Sequence, residues 1–166
     1  ALLGLRPVAS GTVSLSGIED VDLNALGGDV SVNGTAADDD LAYQPTAANA
    51  GRFTKVDLNL TLDLTDVGAL SVNGQGGDNT LSVTGTTAGN IFNVSSTQVL
   101  IAGLQGIDAY SNLGGLVVRG LQGSDTFNVA PAANTEVFVD GGDPIGVVGD
   151  RIVVTTAAAT TFAAGP

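Results

Sequence analysis

The chain reads as an all-β protein, specifically a parallel β-solenoid (β-helix) of short strands joined by Gly/Asp corners, and three observations predict it. Apolar and polar residues alternate with period two in runs of three to five residues. Glycine, 24 of the 166 residues, punctuates those runs, while the strong helix formers Lys and Glu are scarce. One corner sequence returns three times. It reads Val21-Asp-Leu-Asn-Ala-Leu-Gly27-Gly28-Asp29-Val-Ser-Val-Asn-Gly34, then Leu70-Ser-Val-Asn-Gly-Gln-Gly76-Gly77-Asp78-Asn79-Thr-Leu-Ser-Val-Thr-Gly85, then Leu116-Val-Val-Arg-Gly-Leu-Gln-Gly123-Ser-Asp125-Thr-Phe-Asn-Val129.

In chain order the alternation predicts strands at Val13–Leu15, Val21–Leu23, Val30–Val32, Leu41–Tyr43, Val56–Leu60, Leu62–Leu64, Leu70–Val72 and Leu81–Val83. It continues at Ile91–Val94, Val99–Ile101, Leu116–Val118, Phe127–Val129, Val137–Val139 and Ile152–Val154. The valines that end the three recurring units lie at 32, 83 and 129, spaced 51 and 46 residues apart. A recurrence on that scale marks stacked copies of one unit, and with roughly 20–25 residues to a coil it corresponds to two coils. An antiparallel β-sandwich is the alternative. It also wants short strands with frequent turns, and Asn73-Gly74 and Asp140-Gly141 are good hairpin turns.

The organisation expected is an apolar N-terminal tail over 1–7, a repeat domain over 8–154 with units near 21–34, 70–85, 116–129 and 137–154, and a small-residue linker or tail over 155–166. The start lacks the charged leader of a signal peptide, so the chain looks mature or excised from something longer. No run has the continuous apolar length of a membrane helix, and membrane insertion is not expected.

Charge and composition narrow the function. Five Lys plus Arg against 17 Asp plus Glu leave a net charge of −12, which repels nucleic acid phosphates. With no His and no Cys, serine or cysteine triads that rely on them and His-ligated zinc are excluded. Paired carboxylates among Asp38, Asp39, Asp40, Asp57 and Asp63 could serve a polysaccharide-cleaving enzyme, but Asp57 and Asp63 alternate with leucines as solvated strand positions do. Asn33, Asn59 and Asn93 begin N-glycosylation sequons, close to the number that chance supplies in so Asn- and Thr-rich a chain.

Each Gly-rich corner has two readings. In one, Gly27, Gly28, Gly76, Gly77, Gly123, Gly141 and Gly142 supply left-handed backbone while Asp29, Asp78, Asn79 and Asp125 cap turns. In the other, carboxylates of neighbouring corners converge on Ca²⁺, which takes six to eight oxygens. The metal candidates are Asp140, Asp143 and Asp150 on one glycine-rich loop, together with Asp125 and Asp78.

The segment Gly120-Leu-Gln-Gly123-Ser-Asp125-Thr-Phe127 resembles the glycine-aspartate nonapeptide of RTX-type calcium-binding β-rolls, and the longer recurrence resembles repeat modules of large bacterial cell-surface, adhesin-like proteins. The resemblance implies Ca²⁺ held between successive coils by Asp carboxylates and carbonyls. The chain departs from that pattern in placing Leu121 at the second glycine and Asn79 at the aspartate of the earlier copy, and in spacing its copies instead of running them in tandem.

The function expected is therefore a structural, non-enzymatic, extracellular or cell-surface building block of a fibre, surface layer or adhesin stalk. Its partners would be copies of itself or neighbouring repeat modules, with no nucleic acid. The open ends of a solenoid invite such contacts, and Leu2, Leu3 and Leu5 could donate an apolar strand to a neighbour. The alternative is a calcium- or glycan-binding surface module, for which two Tyr, five Phe and no Trp leave few stacking platforms.

Overall fold

A computed structural model describes residues 16–133, 135–143 and 149–156 of the chain. The described strands are, in order, β1 Asp20–Asn24, β2 Val30–Asn33, β3 Asp40–Ala47, β4 Ala50–Lys55, β5 Leu60–Thr65, β6 Leu70–Asn73 and β7 Thr80–Thr84. They continue as β8 Ile91–Val94, β9 Val99–Ile101, β10 Ala109–Ser111, β11 Gly115–Arg119, β12 Thr126–Val129, β13 Glu136–Asp140 and β14 Arg151–Val154. The protein is all-β, and its one helical turn among the described residues is a 3-10 turn at Val56–Leu58.

Three sheets form, two of them mixed and the second all-parallel. The largest runs β1-β5-β4-β3-β7-β11-β13, the second β10-β6-β2 and the third β14-β12-β8-β9. Most neighbours are parallel: β1 with β5, β2 and β10 with β6, β7 with β3 and β11, β13 with β11, and β12 with both β8 and β14. Antiparallel pairing between the described strands is confined to β4, between β3 and β5, and to β9 on β8, with one isolated antiparallel bridge from Val99 to Ile107. Neither Asn73-Gly74 nor Asp140-Gly141 closes a hairpin. Asn73-Gly74 lies between β6 and β7, which belong to different sheets, and Asp140-Gly141 follows β13 on the way to β14, again in another sheet.

Register is identical along each parallel ladder, so equivalent side chains lie over one another on one face. Leu41, Leu81, Leu116 and Val137 form one such column, Tyr43, Val83, Val118 and Val139 a second. Phe92, Phe127 and Ile152 form another on the third sheet. Alternate residues of the inner strands are buried, which is the period-two pattern read from sequence. Their polar neighbours ladder on the other face, as Ser31 and Ser71 do through their hydroxyls at 2.7 Å and Asn93 and Asn128 through their amides at 3.0 Å.

The recurring sequence units pair with one another only out of phase: the end of the first (β2) lies on the start of the second (β6), and the end of the second (β7) on the start of the third (β11). Val32 faces Val72, Val83 faces Tyr43 and Val118, and Val129 faces Val94 and Val154, so the three copies end on three different sheets. The separation across a ladder is 40 residues at Ser31 and Ser71, 35 at Asn93 and Asn128, and 25 at Asp125 and Asp150, not the 51 and 46 of the motif. The motif marks a kind of corner, which recurs more often than the chain returns to the same sheet.

Three elements depart from the alternation. Val56–Leu60 reads as strand, yet Val56–Leu58 is the 3-10 turn and Asn59 closes it at φ 49°, with β5 starting only at Leu60. β4 and β10 carry single aromatic anchors, Phe53 and Tyr110, amid small or polar residues, so alternation is too short to see. Phe53 packs beside Tyr43 with ring centroids 6.4 Å apart. The Val13–Leu15 run and the tail over 1–7 lie outside the described residues, as does most of 155–166.

Phe92 and Phe127 stack at a 4.9 Å centroid distance, both fully buried. Replacing Phe127 by Ala should lower stability by about 3–5 kcal/mol, because it empties the centre of the third sheet's inner face. Denaturant unfolding checks this; a change below about 1 kcal/mol would mean the site collapses to fill the space.

Candidate functional site

Where the chain leaves one sheet for another it does so through a six-residue corner that begins with Gly and closes with Asp or Asn. Gly34 to Asp39, Gly74 to Asn79, Gly85 to Asn90 and Gly120 to Asp125 all fit. They come in two kinds. In the corners from Gly34 and Gly85 the second residue is Thr, and its N–H bonds the closing side chain, Thr35 to Asp39 Oδ2 at 2.6 Å and Thr86 to Asn90 Oδ1 at 2.8 Å. Each Thr hydroxyl then accepts the N–H two residues on, from Ala37 and Ala88 at 3.2 Å. In the corners from Gly74 and Gly120 the turn is made by left-handed residues instead: Gln75 and Leu121 at φ 68° and 79°, then Gly77 and Gly123 at 82° and 107°.

Each Thr corner lies on a Gly corner. Asp39 N donates to Asn79 Oδ1 at 3.0 Å, and Thr80 N returns to Asp39 O at 2.9 Å. Asn90 N donates to Asp125 Oδ1 at 2.6 Å, and Thr126 N returns to Asn90 O at 2.9 Å. The series extends once more, Asp125 N donating to Asp150 Oδ1 at 2.8 Å and Arg151 N to Asp125 O at 2.8 Å. A smaller relative joins the other edge, where Ala69 N donates to Asp29 Oδ1 and Leu70 N to Asp108 Oδ2.

The stacking explains the glycines. A Cβ on Gly77 would lie 2.5 Å from Ala37 C, and one on Gly123 2.5 Å from Gly89 N, so backbone of the Thr corner occupies the space a side chain needs. Both positions also have left-handed φ, which a β-branched residue adopts only with strain.

The structure brings two of the sequence-predicted metal candidates into one contact, Asp125 and Asp150. Asp140 ends β13 and spends Oδ1 on Gly142 N at 3.1 Å, with Arg119 Nε 4.0 Å from Oδ2. Asp143 is exposed and bridges Gln122 through backbone. Asp78 is exposed on a separate corner, where its N–H donates to Asp38 Oδ1 at 2.8 Å. Among the described residues no group of three His, Cys, Asp or Glu is placed to hold a metal ion. Leu2, Leu3 and Leu5 lie outside the described residues.

Sequence reading missed the chain's single lysine. Lys55, at the end of β4, is buried, and its Nζ bonds Asp39 Oδ1 and both oxygens of Asp57 at 2.6 and 2.8 Å. Burial pushes the Asp39 carboxyl up, but bonds from Lys55 and Thr35 outweigh it and hold it below the usual carboxylate range. Burial likewise pushes the Lys55 ammonium down, and Asp39 and Asp57 more than restore it, leaving it raised. The signal in sequence was Gly-Thr-x-x-x-Asp/Asn before a strand, present at 34 and 85; nothing local marks Lys55 as its partner. The exposed Arg52 makes a second, bidentate pair with Asp63, both bonds at 2.7 Å. No family model, curated protein or solved structure matches the chain.

Lys55→Met should cost about 3–5 kcal/mol by stranding the Asp39 charge, and adding Asp39→Asn should recover much of that loss, since both charges are then gone. The pair's stability is present above the ordinary aspartate range and is lost as pH falls through the lowered Asp39 value. It is lost again when pH rises through the raised Lys55 value. Melting temperatures of the three proteins across pH test this; equal acid sensitivity in wild type and double variant would contradict it.

For the corners, Gly77→Val and Gly123→Val should each cost about 1–3 kcal/mol in backbone strain, before any added clash. Unchanged thermal midpoints in both would show that the corners can open without penalty.

Proposed function

We propose that this chain is a structural, non-enzymatic module: a β-solenoid whose coils continue end to end into neighbouring copies or modules of an extracellular fibre, surface layer or stalk. Support for the solenoid comes from the parallel ladders in constant register and the corners bonded one over another, since these are the contacts by which a coil adds to its predecessor.

One observation carries the assembly reading. Along the third sheet the same inward column passes from Phe92 and Phe127, 0% and 1% exposed, to Ile152 at 52%. On the large sheet Leu116 and Val118 are buried while Val137 and Val139, next in their columns, are only half-buried. At the other end Val21 and Leu23 are half-buried against fully buried Leu62 and Leu64. Among the described residues the core is thus open at both terminal strands of the large sheet, and β1, β13 and β14 pair on one side only. Open apolar columns flanked by free N–H and C=O groups fit another coil of the same kind.

Several of the candidate carboxylates support the non-enzymatic reading, because they are engaged in structure: Asp39 and Asp57 with Lys55, Asp63 with Arg52, Asp150 with Asp125 N–H. An extracellular setting is supported by the acidic, lysine-poor, Gly-, Asn-, Thr- and Asp-rich composition.

Light scattering over a concentration series tests the assembly. Wild type should grow into rods or filaments, and Val137→Asp with Val139→Asp should stop growth while circular dichroism keeps its strand signal, each lost burial being worth ~1.5–3 kcal/mol per junction. A wild type that stays monomeric at every concentration would sink the reading.

A further inference from the structure

The corner that ends at Asp125 differs from its counterparts in a single atom. At Gly34, Gly74, Gly85 and Gly120 the space a Cβ would fill is taken by the corner's own closing side chain and by a carbonyl oxygen one corner on. At Gly34 these are Asp39 Oδ2 and Gly74 O, and Asp39 Oδ2 is satisfied by Thr35 N–H. At Gly85 they are Asn90 Oδ1, satisfied by Thr86 N–H, and Gly120 O. At Gly74, a corner of the same kind as Gly120, they are Asn79 Nδ2 and Asn112 O, joined by a 3.0 Å hydrogen bond. At Gly120 they are Asp125 Oδ2 and Gly141 O.

Asp125 Oδ2 is buried and has no hydrogen-bond partner among the described residues, although Oδ1 of the same carboxyl accepts Asn90 N–H. It stands where Asn79 presents a donor, against the same kind of acceptor. Two oxygens so placed repel unless one carries hydrogen, and a carboxyl can supply it by staying protonated. We propose that Asp125 holds its proton to a higher pH than an ordinary aspartate and, while protonated, donates Oδ2–H to the carbonyl oxygen of Gly141, making the last corner junction a joint that tightens in acid and loosens as pH rises.

The surroundings favour the neutral form. Burial raises the Asp125 carboxyl, the Asn90 N–H partly offsets that, and the Asp150 carboxylate beside it raises it further. The charged groups on the elements packed against it are Asp150 and Arg151 on the β14 side, and Asp140 and Asp143 on the preceding stretch, with Arg119 directed to Asp140; Asn90 and Thr86 on the opposite side are neutral. A folded-state value above the unfolded one contributes stability that is complete below the ordinary aspartate value and is lost as pH rises through the folded value, the reverse of the Asp39 case. The junction affected is that of β13 and β14, since Gly120 N donates to Asp140 O and Arg151 N to Asp125 O.

Carboxyl carbon NMR on the full chain reads the proton directly. The Asp125 resonance should titrate above the ordinary aspartate value, and Asp150→Asn, which keeps an acceptor for Asp125 N–H but removes the charge, should bring the midpoint down. Asp125→Asn should abolish the fall in melting temperature that this group gives wild type as pH rises. An Asp125 midpoint at or below the ordinary value would overturn the proposal, whatever the variant's fold. So would displacement of the Asp125 resonance by added Ca²⁺ at constant neutral pH, which would show a metal ion in the proton's place.

Discussion

The bond on which the rest depends is the one from the N–H of a corner's closing residue to the side-chain oxygen of the equivalent residue in the next corner. At a corner the chain has left one sheet and not yet joined another, so its backbone groups have no strand to pair with. Buried there, they would each cost about 1–3 kcal/mol. Asn79, Asp125 and Asp150 supply the missing acceptor, and the carbonyls of Asp39, Asn90 and Asp125 take the N–H that follows. Because each bond spans two corners, it sets the register of the strands on either side, and the columns of Leu41–Leu81–Leu116 and Phe92–Phe127 fall into line from it.

That role decides which residue types the corners accept. The closing position needs a short side chain with an oxygen to accept the neighbouring N–H, and whatever its second polar atom meets must complement it. Asn79 solves the second demand with an amide on Asn112 O, Asn90 with Thr86, and Asp39 with Lys55 and Thr35. Only where the partner is cationic or the N–H groups are plentiful does a buried carboxylate suit, which is why the chain's one lysine lies beneath Asp39. Asp125 has neither, and burial with Asp150 alongside raises it where Lys55 and Thr35 lower Asp39. One structural position thus carries two opposite electrostatic regimes.

The Thr and Gly corners are complementary surfaces. The Thr corner folds on its own side-chain bonds and presents backbone outward, and the Gly corner receives that backbone at distances that leave no room for a Cβ. Leu121, a non-glycine residue at φ 79°, shows that the first left-handed position tolerates a side chain where the second, pressed against Ala88 and Gly89, does not.

The sequence by itself determined the all-β character and most strand positions, because period-two alternation is a local property of a half-buried strand and the inner strands are long enough to show it. It also carried the corner signature, from Gly34 to Asp39 through Gly120 to Asp125. It did not determine which corner lies on which. The three visibly recurring units end on three different sheets, because the corner sequence they share stands at three different joints, from β1 to β2, from β6 to β7 and from β11 to β12. Nor could it reveal β10, anchored by Tyr110 alone, or the pairing of Lys55 with Asp39, since both are set by segments distant along the chain. The opposite shifts of the Asp125 and Asp39 carboxyls belong to the same class: both residues close the same six-residue pattern, and only their tertiary neighbours, a lysine in one case and a carbonyl and a carboxylate in the other, separate them.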